Sequence, residues 1–129
     1  MKWIWVQSRF MNSTHNLISD LSQFSGTEKY YRITRIHLLT DGTKYLAEKA
    51  QCFWLMDAIA SHLPKYFHDT FCVANLTVNK SSAVLKIDDG NGNVYASQQI
   101  EYTDFPLNEI KLYCCFDGEY WVIMLTSEY

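Results

Sequence analysis

From Cys72 onward the chain adopts a two-residue period, and that alternation limits its possible folds more than any other feature. Cys72, Ala74, Leu76 and Val78 alternate with Val73, Asn75, Thr77 and Asn79, and Ala83, Leu85 and Ile87 alternate with Val84, Lys86 and Asp88. Val94, Ala96, Ile100 and Tyr102 are expected to share one face of a third strand. Successive side chains of a strand point to opposite faces, so each run offers one apolar face to a core. Lys80-Ser81 and the Asp88–Asn93 stretch have the composition of hairpin turns. Two closing strands, about 110–116 and 119–126, meet at Asp117-Gly118, after a short turn carrying Pro106 that Asp104 is expected to cap.

Upstream of this sheet the period is helical. Leu17, Ile18, Leu21 and Phe24 recur at helical spacing behind the capping candidates Ser13 and Thr14, with Gly26 as the stop. The stretch 29–39, rich in Tyr, Ile, Thr and Leu, predicts one long strand, and Asp41-Gly42 a turn. Residues 44–63 predict a helix of about five turns ended by Pro64. On that helix Lys44, Glu48, Gln51 and His62 fall on one narrow arc, and most of the remaining circumference is apolar, which requires cover on more than one side. The expected fold is therefore α+β: an antiparallel sheet of five or six strands packed against one long central helix, with a short N-terminal helix.

The 129 residues contain no repeat, low-complexity stretch or linker, and predict a single domain over 1–129, with 1–11 as a non-core extension or Met11 as the start. With 48% apolar and 19% charged residues the chain can bury a core without a metal or disulfide staple. The net charge is −3 and no run of basic residues exists, so a nucleic-acid partner is not expected. No stretch has the apolar length of a membrane span or a secretory signal, so the expected location is cytoplasmic. The Asn-x-Ser/Thr triplets at Asn12, Asn75 and Asn79 then have no role in glycosylation. Cys52, Cys72, Cys114 and Cys115 lack framework spacing, and adjacent Cys114 and Cys115 on a strand face opposite ways, so reduced thiols are expected.

Chemistry-bearing candidates are few. Asp89–Asn93 begins like a calcium loop but has Val94 and Ile100 where that loop needs Gly and Glu, so a tight turn is expected. No HxxxH or Cys-x-x-Cys spacing supports a metal site, and His62 and His68 flank Pro64 as solvated residues near a helix end. Asp57 falls on the apolar side of the long helix, between Phe53 and Ala60, where a carboxylate needs a partner such as Arg32 or Arg35, or else anchors a ligand. His37, on an aromatic strand, is the candidate axial ligand should haem bind, although no cofactor is the leading expectation. No hydrolase elbow or phosphate loop occurs, and no catalytic residue is assigned. The closing strand, with Tyr120, Trp121 and Met124, is apolar on both faces and is expected either to be buried on both or to form an interface.

The strings Phe24-Ser-Gly-Thr-Glu-Lys-Tyr-Tyr-Arg32, Thr40-Asp-Gly-Thr-Lys-Tyr-Leu-Ala-Glu48, Phe53-Trp-Leu-Met-Asp-Ala-Ile-Ala60 and Glu101-Tyr-Thr-Asp-Phe-Pro-Leu107, with the closing Ser127-Glu-Tyr129, resemble a family of small bacterial proteins of unknown function, met in cyanobacterial and other bacterial genomes and mobile elements. Many members carry a His directly after the Tyr-Tyr-Arg, where this chain has Ile33, with His37 coming later. The resemblance implies a bacterial, cytosolic domain, with a phage or mobile-element setting as one context, and supplies no activity. The leading expectation is a non-enzymatic protein-binding or regulatory module acting on a protein partner or as a homodimer. The alternative is a small-ligand or haem-binding protein with a pocket between helix and sheet, reached by Asp57 or His37.

Overall fold

A computed structural model of the chain describes residues 16–129. The capping candidates Ser13 and Thr14 and the extension 1–11 lie outside the described residues. Helical backbone over 16–21 (α1) is followed by β1 (Tyr31–Arg32), β2 (His37–Leu39), α2 (Asp41–Lys49), α3 (Phe53–Ser61), β3 (Phe71–Asn79), β4 (Ser82–Asp88), β5 (Val94–Ile100), β6 (Glu109–Phe116), β7 (Trp121–Leu125) and a 3-10 turn, Thr126–Glu128. The strands form one seven-stranded sheet in the order β1-β2-β7-β6-β3-β4-β5. It is mixed, because β2 runs parallel to β7 while the other pairs are antiparallel. The expectation of a five- or six-stranded antiparallel sheet on one long helix is thus corrected twice, in the sheet and in the helix.

The helix is two helices. After α2, Gln51 takes a positive φ of 50°. The Cys52 N–H reaches back to the Ala47 carbonyl (2.9 Å) and the Gln51 N–H to that of Glu48 (3.4 Å). This is a Schellman ending, usually built on Gly because a Cβ disfavours the left-handed region. Breaking the helix there resets its phase: α3 buries Leu55, Met56, Ile59 and Ala60 and exposes Phe53, Asp57 and Ser61.

The expected long strand over 29–39 folds back on itself. The N–H groups of Ile36 and His37 donate to the Thr34 hydroxyl, and Ile33 donates to the His37 carbonyl, so β1 and β2 pair antiparallel with each other. Asp41-Gly42 is not a turn but the first turn of α2. Thr40 caps that helix, its hydroxyl accepting from the Thr43 N–H while the Thr43 hydroxyl accepts from the Thr40 N–H. The Thr43 hydroxyl also donates to the Ile123 carbonyl (2.8 Å), seating α2 on β7.

The β3–β4 alternation holds as read, with Ala74, Leu76, Ala83, Leu85 and Ile87 buried on the helix side. On β5 it is interrupted. Ile87 pairs with Ala96 but Asp88 with Val94, so Tyr95 is an extra residue, and Val94 and Tyr102 are exposed (52% and 75%) instead of sharing the core face. The turn before β6 is held by Thr103, whose hydroxyl accepts from the Phe105 N–H, rather than by Asp104.

Candidate functional site

The helices cover one face of the sheet. On that side Leu39, Leu46, Leu55, Met56, Ile59, Trp121 and Ile123 have no solvent exposure and fill the space in which a helix–sheet pocket was expected. No described layer covers the opposite face, and cross-strand register shows what it carries. One row runs Arg32–Leu38–Val122–Cys115–Phe71 across β1, β2, β7, β6 and β3. The next runs Met124–Tyr113–Val73–Asp88, and a third Lys111–Asn75–Lys86.

Packing organises this open face from within. Phe71, Tyr113 and Tyr129 form a ring cluster with centroids 5.2–5.6 Å apart, and Tyr129 itself is 77% exposed. Offset and edge contacts of this kind suit the ring quadrupoles and fix flat apolar surface in place. Beside the cluster the β4–β5 loop borders an open concavity of about 460 Å³, lined by Phe71, Val73, Asn75, Asp88–Gly92, Lys111 and Tyr113. A second concavity of about 440 Å³, sharing Asn75 and Lys111, continues toward Thr77, Glu109 and Thr126.

The carboxylates at this loop are occupied by their own turn. Asp89 accepts from the Asn93 side chain (2.7 Å) and from the Asn91 and Asn93 N–H groups, and these bonds hold its carboxyl below the usual range. Asp88 accepts from Gly90 N–H and from the Asn75 amide (2.9 Å). The segment is therefore the tight turn its composition suggests. Among the described residues no group of three or more His, Cys, Asp or Glu side chains is placed to hold a metal ion.

The predicted site residues are not brought together. Asp57 lies on the exposed stripe of α3, not in an apolar layer; the wheel that buried it assumed an unbroken helix. Among the described residues it forms no ion pair with Arg32 or Arg35, both of which are exposed. His37 is buried (5% exposed) with both ring nitrogens in use: Nε2 donates to the Leu63 carbonyl (2.7 Å) and Nδ1 accepts from the Thr34 hydroxyl. Burial lowers its pKa, so the ring is held neutral as a cross-brace between β2 and the end of α3. An axial-ligand role would sacrifice those bonds.

Trp121, expected at an interface, is fully buried in the core, with Nε1 donating to the Pro64 carbonyl (3.1 Å). Tyr120 and Met124 are half-buried, and Met124 lies on the open face. Tyr120 meets Arg32, whose Nη2 donates to its hydroxyl (3.1 Å) with the guanidinium 5.5 Å from the ring centroid. The residues that sequence reasoning missed are Phe71, Tyr113, Lys111 and Tyr129. The clue was the solvent-side half of the same alternation that located the core.

These features define a two-layer arrangement in which helices protect one face of a mixed sheet and, among the described residues, the other face presents an aromatic, partly apolar surface. The chain belongs to a family of unknown function, DUF6876, whose model matches residues 15–129, in keeping with the resemblance carried by its strings. No curated protein matches it. A crystal structure of a protein of unknown function from Enterococcus faecalis is similar in fold, with a TM-score of 0.53 at 15% identity over 76% of this chain and 93% of that one. No described helix is long and apolar enough to cross a membrane.

Proposed function

We propose that the chain is a non-enzymatic protein-binding module whose contact surface is the open face of the sheet. The observation that supports this is the continuous strip Leu38–Val122–Cys115–Phe71 with Met124 and Tyr113 beside it, apolar side chains on a face with no described covering layer. A contiguous apolar patch on the solvent side of a sheet carries a hydration cost that association removes. Rigid aromatic groups supply contact area with little loss of side-chain entropy.

The test is a photocrosslinking amino acid placed at Val122 or Met124, and separately at Phe53 or Tyr66 on the helical side, in cells that natively make the protein. The reading predicts discrete protein adducts from the open-face positions only. Equal adducts from both sides, or none from the open face, would overturn it.

A further inference from the structure

We infer that a second copy of this chain is the occupant of the open face, packed sheet to sheet about a two-fold axis along the strands; this rests on the reading of that face as a protein-binding surface. The argument is that the strip is complementary to itself. Its first row begins at Arg32 on β1 and ends at Phe71, beside Gly90 of the acidic loop that carries Asp89.

A two-fold axis lying in the interface between β7 and β6 reverses the order of strands while preserving position along them. It therefore sets Leu38 of one copy against Phe71 of the other, Val122 against Cys115, and the exposed Arg32 end against the Asp89 loop. Apolar groups meet apolar groups, and each copy's cationic end meets the other's anionic end, as an isologous interface requires. Arg32 is braced by Tyr120, and Asp89 is fixed and ionised within its turn, so neither charge needs ordering on contact.

Size sets the strength. At about 4.8 Å per strand and about 6.8 Å per row, five strands by two rows cover roughly 330 Å² per copy, below the size of a standard stable interface. A contact this small makes a weak, reversible dimer, with association expected in the micromolar range or above.

Sedimentation equilibrium of the full chain over a concentration series, with R32E and D89R variants whose folding is verified by circular dichroism, tests this. Wild type is expected to dimerise in the micromolar range, and each variant alone to dimerise about tenfold or more weakly, because like charges then face each other. An equimolar mixture of R32E and D89R restores association, since both cross-copy pairs become opposite in sign again. A wild type monomeric at several hundred micromolar, or a mixture no stronger than its components, overturns the two-fold pairing. Open-face crosslinks to a different protein, alongside a monomeric wild type, would refute self-association yet leave the surface reading intact.

Discussion

Three residues show how single side chains tie this fold together. His37 joins β2 to the end of α3 through the Leu63 carbonyl, and its folded pKa lies below the usual 6.5 because burial disfavours the imidazolium. The unfolded chain therefore binds the proton more readily. The stability His37 contributes is complete above about pH 6.5 and is lost as the pH falls through the folded pKa. Urea midpoints should thus fall between pH 7.5 and 5, and His37→Phe should flatten that slope. At pH 7.5, His37→Ala should cost about 2–4 kcal/mol, because Leu63 and Thr34 lose a buried partner beside a new cavity.

Glu128 holds the other end of the molecule. Its carboxylate accepts from the Thr40 hydroxyl (2.6 Å), the Leu125 N–H (2.9 Å) and the Gly42 N–H (3.1 Å), placing negative charge on the first turn of α2. Gly42 permits that approach, since a Cβ there would stand 2.5 Å from the Glu128 Oε1 and Leu125 Cδ1 positions. Gly42→Ala should destabilise by about 1–3 kcal/mol despite the higher helix propensity of Ala, read from chemical denaturation.

At the scale of elements, the local hairpins were legible in the sequence and the long-range pairings were not. β3–β4 and β6–β7 announce themselves because alternation and turn residues sit side by side in the chain. β2 lies parallel to β7 through residues far apart in sequence, and three residues, His37–Leu39, are too few to carry a period. The helix break was hidden because its left-handed residue is Gln51, where a Gly would have signalled it. That error also misplaced Asp57. The break makes a signed prediction. Gln51→Gly should raise stability by about 0.5–1 kcal/mol, since the strained left-handed Cβ is removed. In one continuous helix the same change would lower stability by about 1 kcal/mol. Thermal midpoints of the two proteins decide between them.

For the whole molecule, the arrangement gives the two faces of the sheet different surroundings. One face of the sheet is sealed by α2, α3 and the 63–67 segment through His37, Trp121 and Phe67; among the described residues no layer covers the aromatic strip on the other. The core was readable because burial follows period; the surface was not, because its rows are assembled from five strands whose order only the fold reveals. The thiols report the same division. Cys52 and Cys72 have pKa values pushed up to about 12 by burial, and fully buried Cys114 is raised as well, so all three should be inert. Burial raises the Cys115 thiol too, but this side chain is only half-buried and stands on the open face between Val122 and Phe71, so access sets it apart.

Cys115 is therefore a native probe of the central claim. The measurement is its rate of alkylation, by peptide mass spectrometry, in the cell that makes the protein and in dilute purified protein. The account predicts labelling confined to Cys115, the one thiol with solvent access, slow but measurable in dilute solution because burial raises it, and several-fold slower still in the cell, where a protein covers the open face. Equal rates in both settings would contradict it.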